Sequence, residues 1–517
     1  MSIVSVAFAI FLLVSLFAFY LAPKRFQWLV ILASNVFFYF ACGAASFVFI
    51  LFSSLVTYFC SIVAAKYNGI VKEEKNRLDK EKFKLAKKSW QNKKRIVLVF
   101  MLAANIGILF YLKYWNVIVN SKTIFLPLGI SYYTLQMIGY FMDVYNSKIE
   151  AERNYLKLFL FISFFPQLIM GPINRFSTVG KQLLEEKEFD FENIKHGVIL
   201  FLYGAMKKYI IADMLFKPIS NILDPNYENL PGGIILFGVL MYAIYQYADF
   251  SGGIDMVLGI AELFGIKMAQ NFKQPYFSSS LSNFWQRWHI SLGAWMRDYV
   301  FYPFAFIKPM QNLSKLCSSN LGRHLGRVLP ACVANILVFI LVGAWHGPEL
   351  HFLIWGLYNG VVIALSDICS PLFAAVNKAL KINDKSKAFH VFRVIRTFII
   401  VNIGWYFDRI VSVKKAFEYL GRTFIKFGNV STIFSKVYMK SVIGSVNEWQ
   451  SCISLVLIGS LIVFVVSLLK ENKVDVYSEI QKKNIVFRFM AYYIPLILIV
   501  VSLSFSAGDT GFMYAQY

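Results

Sequence analysis

Two histidines stand where a histidine is costly. His346 lies in LVFILVGAWHGPELHFLIWG, between two long apolar runs, flanked by Gly343 and by the Gly347-Pro348 step. An ionisable side chain at membrane depth is expensive and marks a polar path by default. An imidazole, with an ordinary pKa of about 6.5, can act there as a general base near neutral pH. His289 lies in FWQRWHISLGAWMRDYV, bracketed by Arg287, Arg297 and Asp298 and by Trp285, Trp288 and Trp295. On one helix, Trp285, Trp288 or His289, and Trp295 would share a face. Aromatics beside cations suit a phosphate-bearing donor, through stacking and charge pairing, and they also suit an interfacial belt, where Trp and Arg collect. His351, a little over a turn beyond His346, reads as a core histidine. His196, His324 and His390 flank apolar runs beside Lys or Arg and read as membrane-edge residues.

Other chemistries find no foothold. No GxxxxGK[ST] phosphate loop, GxSxG elbow, HExxH or paired-carboxylate motif occurs in a suitable context. The six cysteines are scattered without a CxxC pair or a nearby His cluster, so they read as small packing residues and no metal site or bound cofactor is expected. Ser251, Gly252 and Gly253, following Asp249, read as a helix break rather than a nucleotide loop.

The elements that must position these residues follow from composition. Of 517 residues, 58% are apolar and 16% charged, against about 45–50% and 25% in soluble domains, and the mean hydropathy is +0.57. That pattern describes an all-α polytopic membrane protein, not a soluble enzyme. The net charge of +23 would suggest nucleic acid in a soluble chain; here the basic residues crowd between apolar runs, as the positive-inside rule and anionic headgroups require. Nucleic acid binding is therefore excluded. Apolar runs recur from 3–21 to 487–506, among them 124–142, 155–173, 196–216, 232–250, 252–268, 330–346 and 350–370. FLPLGISYY and FFPQLIMGPINRF read as re-entrant or kinked helices, since broken backbone is tolerated only where protein or a water-filled cavity satisfies it. Residues 271–329 do not read as ordinary spans, and their mixture of aromatics, Arg and His suits interfacial or cavity-entering helices.

Three parts are expected: 1–120, N-terminal spans with a basic cytoplasmic loop at 66–95; 121–411, the core; and 412–517, an extension with two spans and an external tail. The first apolar run lacks a basic n-region and a cleavage site and reads as a retained span. Counting spans from the basic loop and from the KENK turn at 470–473 puts both termini outside.

Three blocks, QMIGYFMDVYNSKIEAERNYLKLFLFISFFPQLIMGPINRF at 136–176, NFWQRWHISLGAWMRDYVFYP at 283–303 and GAWHGPELHFLIWGLYNG at 343–360, occur in the order found in the membrane-bound O-acyltransferase (MBOAT) family. The chain resembles its bacterial branch, which holds alginate O-acetylation and, more distantly, teichoic acid D-alanylation proteins. The resemblance implies a ring of tilted helices around a central funnel. It implies His346 as the catalytic base, His289 as the second family histidine, and substrate contacts from Trp285, Arg287, Trp288, Arg297, Asp298 and Trp345. The ending GFMYAQY is similar to the acetylase tail, which implies Tyr514 as an acyl relay, although Ala515 stands where an aromatic is usual and Tyr517 replaces the final Phe. The loop after Pro303 lacks the Gly-Gly-Asn-Arg run of many acetylases. The implied activity is acyl transfer, acetyl before others, from cytoplasmic acetyl-CoA to a cell-surface or secreted polysaccharide in a bacterial cell membrane, completed by a secreted or membrane-anchored acetyltransferase. The alternatives are D-alanyl transfer from a pantetheine-loaded carrier and, from another class, a polysaccharide exporter or flippase.

Overall fold

The computed structural model describes residues 3, 5–119, 127–224, 230–433, 435 and 449–504. Tyr514 and the tail around it, and the start of the expected 124–142 run, lie outside the described residues. Apolar runs become helices because hydrocarbon offers backbone groups no partner. No strand occurs among the described residues, which include one isolated antiparallel bridge, Phe272 with Trp288. Nine helices among them are long and apolar enough to cross a membrane. The chain divides into two units, 1–198 with 257–269, and 199–256 with 270–517.

The first unit is built on α1 (Val6–Leu21), α2 (Gln27–Cys42), α3 (Ala44–Arg77), α4 (Lys80–Ile118), α5 (Ile130–Tyr145), α6 (Tyr155–Ser163), α7 (Phe165–Met170) and the first half of α8 (Phe191–Met206). At 1.5 Å per residue the 34-residue α3 is about 51 Å long, well beyond the ~30 Å of a hydrocarbon core. The expected basic stretch is thus the tip of a helical hairpin made by α3 and α4. The expected break in the 155–173 run falls at Phe164, between α6 and α7. Its cost is met by Asn35 of α2, whose Oδ1 accepts from the Phe165 N–H (3.0 Å) while its Nδ2 donates to the Leu160 carbonyl (3.3 Å). Gln167 donates to the Phe161 carbonyl and accepts from Asn174, which in turn accepts from the Ala269 N–H.

The second unit continues through α9 (Asp213–Leu223), α10 (Gly232–Leu263), α11 (Leu281–Arg287), α12 (Ile290–Met296), α13 (Tyr302–Ala305), α14 (Lys308–Leu321), α15 (Arg323–His346), α16 (Leu350–Ile368), α17 (Ser370–Ala379), α18 (Lys387–Arg409), α19 (Val413–Ile425), α20 (Val430–Ile433), α21 (Trp449–Glu471), α22 (Val476–Gln481) and α23 (Ile485–Leu503). Two expectations are corrected here. Ser251, Gly252 and Gly253 do not break a helix; α10 runs unbroken through them, so 232–250 and 252–268 are not two spans. The glycine serves close approach instead: a Cβ on Gly252 would stand 2.8 Å from the Gly204 carbonyl oxygen, and one on Gly204 would stand 2.5 Å from that of Gly252. The Trp285-to-Trp295 segment is likewise not one helix, because the chain leaves helix at Trp288 and His289.

A wide, π-type turn joins α8 to α9 and carries two buried lysines. Lys208 Nζ reaches Asp249 (2.8 Å) and Asp213 (2.9 Å), and Lys207 Nζ reaches Ser251 (2.9 Å) and Asp255 (2.6 Å). Buried charges persist only when paired and hydrogen-bonded, so these contacts lock the turn to α10.

Substitution at two glycines separates packing from propensity. Gly252→Val should lower the unfolding temperature in detergent, by the equivalent of about 1–3 kcal/mol for overpacking. Gly69→Ala, at an exposed position of α3 with nothing near its would-be Cβ, should raise that temperature by the equivalent of about 0.4–1 kcal/mol.

Candidate active site

His289 sits on a break built by its neighbours. Ser280 caps α11, accepting from the Asn283 N–H at 3.1 Å, and seven residues later the helix ends. Segment 271–274 then pairs with 287–290: the Lys273 N–H donates to the Arg287 carbonyl (2.9 Å) and the Ile290 N–H to that of Asn271 (3.0 Å). His289 takes a left-handed backbone, φ 48°, which costs a residue with a Cβ about 1–2 kcal/mol and signals a position held by its surroundings. Its ring is buried, edge-on to Phe250 at 4.9 Å and 6.2 Å from Trp345. Burial alone pushes its pKa down to about 3, so the imidazole is neutral near pH 7.

His346 is the last residue of α15, and it too is buried. Two glycines set its place. A Cβ on Gly343 would stand 2.3 Å from the Phe352 carbonyl oxygen, and one on Gly347 would stand 2.5 Å from the Phe352 ring, so the return into α16 needs both. The His346 ring lies 5.0 Å from Trp355, 5.3 Å from Trp345 and 5.8 Å from Phe352. Trp345 therefore touches both imidazoles.

Each histidine lines its own cavity within the second unit. His289 shares one of about 430 Å³ with Trp285, Trp288, Arg297, Tyr302 and Asn335. His346 shares one of about 440 Å³ with Tyr242, Glu349, His351, Asp408 and Arg409. The first is mostly aromatic and aliphatic with one cation; the second carries hydroxyl, carboxylate, imidazole and guanidinium groups. In the second, Asp408 accepts from Tyr242 Oη (2.7 Å) and Gln246 Nε2 (2.8 Å), Arg409 pairs with Asp224 at 2.6 Å, and His351 Nδ1 donates to the Phe407 carbonyl at 2.9 Å.

The remaining candidates separate. Trp285 lines the first cavity and donates to Asn359 Oδ1 at 3.0 Å. Trp288 lines that cavity too, its ring packed on Phe284, Phe272 and Trp405. Arg287 turns to Glu471 of α21 (2.8 Å), whereas Arg297, half exposed beside Asp298 at 3.2 Å, reaches the cavity. Asn271, Tyr242, Gln246 and Asp408 were missed; only Asp408, an acid near the end of an apolar run, carries a signal a sequence can show. His351 is bonded to backbone as a core histidine would be, yet it also lines the His346 cavity.

The sequence profile of the membrane-bound O-acyltransferase family matches residues 149–316. The chain is 33% identical over 303 residues to a probable alginate O-acetylase AlgI of Pseudomonas syringae pv. tomato, covering 58% of this chain and 52% of that protein. It is 28% identical over 372 residues to a peptidoglycan O-acetyltransferase of Helicobacter pylori, covering 63% and 64%. It is 30% identical over 285 residues to a teichoic acid D-alanyltransferase of Bacillus subtilis, covering 54% and 67%. The matched part spans about half the length of the alginate O-acetylase.

The Arg287–Glu471 pair is measurable by a double-mutant cycle. Arg287→Ala, Glu471→Ala and the double variant, melted in detergent, should show a coupling of about 0.5–3 kcal/mol; additive losses would mean that the pair does not tie α11 to α21.

Proposed function

The chain belongs to the membrane-bound O-acyltransferase family, and from that membership we propose an integral membrane O-acyltransferase that moves an acyl group, acetyl first, from a thioester to a hydroxyl. The observation that carries this reading is the pair of buried histidines on either side of Trp345, each lining a cavity of different chemistry. The apolar, aromatic cavity with Arg297 suits the thioester arm of a donor such as acetyl-CoA. The polar cavity with Tyr242, Glu349, His351, Asp408 and Arg409 suits a hydroxyl acceptor.

In this reading His346 takes the proton of the acceptor hydroxyl as its oxygen attacks the thioester carbonyl. The C–S bond then breaks, and the proton passes from the imidazolium to the departing thiolate. Positioned proton transfer of this kind contributes about 10²–10⁴-fold. His289, neutral, orients the donor. Trp345 and Trp285 wall the site; Arg287, Trp288 and Asp298 hold its frame. Tyr514, outside the described residues, is proposed as the hydroxyl that receives the acyl group and presents it outside. The parts 1–120, 121–411 and 412–517 remain the proposed division. The proposed orientation has 66–95 in the cytoplasm and both ends outside a bacterial cell membrane, and the basic residues of that stretch support it through the positive-inside rule.

The final acceptor is proposed to be a cell-surface or secreted polysaccharide, reached through a separate secreted or anchored acetyltransferase. The D-alanyltransferase relative supports a second reading, D-alanyl transfer from a carrier protein to teichoic acid.

The two readings part in one experiment. Cells carrying His346→Ala at matched expression should lose ester-linked acetate from the surface polymer by at least about 10²-fold, read by mild alkaline release and mass identification, while polymer still reaches the surface. Loss of D-alanine instead would promote the second reading, loss of the polymer itself would point to an exporter, and unchanged esters would remove His346 from the chemistry.

A further inference from the structure

Asn271 stands across the Phe272–Trp288 bridge from His289, and its side-chain oxygen gathers three donors. The Ser291 N–H lies at 2.9 Å, Ser291 Oγ at 2.8 Å and His289 Nδ1 at 3.3 Å. An amide's oxygen and nitrogen are ordinarily assigned from their network. Here a backbone N–H can only donate, so the atom that faces Ser291 is the oxygen. An oxygen acceptor requires its imidazole partner to donate, and a neutral imidazole that donates from Nδ1 carries its lone pair on Nε2.

We propose that Asn271 is a positioning residue that holds His289 as the Nδ1–H tautomer and leaves Nε2 as the acceptor nitrogen. The catalytic meaning of this rests on the acyltransferase reading; the tautomer does not. With Nε2 as acceptor, His289 receives an N–H or O–H of the donor's arm and orients it, and it cannot serve as a donor to a developing oxyanion. The left-handed backbone at His289 and the bridge on either side of it bring Nδ1 to Asn271. The groups around the ring leave it neutral. Arg297, the charged residue among the described lining of its cavity, is half exposed and paired with Asp298. On α10, where Phe250 meets the ring, Asp249 and Asp255 are paired with Lys208 and Lys207. Lys273, next to Asn271, is exposed. On α15, Trp345 meets the ring and His346 follows it.

The test is ¹⁵N NMR of the full chain in detergent with ¹⁵N-imidazole histidine, the His289 signals being identified among six histidines by their loss in His289→Gln. The wild type should show an Nδ1–H tautomer that does not change between about pH 5 and 8. Asn271→Asp keeps the acceptor and adds a negative charge that favours the imidazolium, so His289 should titrate within that window, and acetyl ester formation in cells should fall as pH drops. Asn271→Ala should lose the tautomer preference and ester formation together; if it does not fold, Asn271→Asp carries the test. An Nε2–H tautomer in the wild type, or an Asn271→Asp variant whose His289 signals and pH profile match the wild type, would overturn the proposal. Wild-type ester formation by His289→Gln beside the expected tautomer would leave Asn271's role in place and overturn instead the catalytic reading of His289.

Discussion

A backbone N–H or C=O at membrane depth that finds no partner costs several kcal/mol, and the chain departs from helix where such partners are supplied. At Phe164 the partner is Asn35, a side chain from another helix. At Trp288 and His289 it is a second stretch of backbone, residues 271–274, joined by two ladder-like hydrogen bonds. At His346 the helix ends because Gly343 and Gly347 let the following turn press against Phe352. The histidines sit at two of these departures, His289 in the break and His346 as the last residue of its helix.

The same demand governs charge. Lys207 and Lys208 sit in a wide turn and are satisfied by Asp255, Ser251, Asp249 and Asp213, and Asp408 is satisfied by Tyr242 and Gln246. Removing one partner of a buried pair costs more than the pair contributes, because the other charge is left stranded. The paired groups are thus a frame around two buried imidazoles, one kept neutral by burial and one at a helix end. Acid–base work between uncharged partners suits such a setting, where a free charge would be costly.

The division into an aromatic cavity and a polar one is what supports the proposed assignment of the two halves of an acyl transfer. A thioester arm offers amides and hydrocarbon, which aromatic walls accommodate, whereas a hydroxyl acceptor needs hydrogen-bond partners of both kinds. Trp345 is in ring contact with both imidazoles.

Composition and apolar runs were enough to establish an all-α, many-span membrane protein, because helix is the form in which such runs satisfy their own backbone. Motif order, through the family resemblance it carries, pointed to His346 and His289, and both imidazoles are buried beside Trp345. What the sequence could not resolve is whether a glycine breaks a helix or lets two helices touch. Ser251, Gly252 and Gly253 looked like the first and are the second, and only the partner, Gly204, distinguishes them. Arg287 looked like lining and ties to Glu471 instead, because a side chain's direction depends on the backbone turn at His289, which a pairing with residues 271–274 imposes. Asn271, Tyr242 and Gln246 carry no signal of their own, and their roles exist only where distant segments meet. Residue types and local spacing set which chemistry the chain can hold; contacts between residues far apart in the chain decided which nitrogen, which cavity and which neighbour each group has, because hydrogen bonds and close packing act over a few ångströms whatever the separation along the sequence.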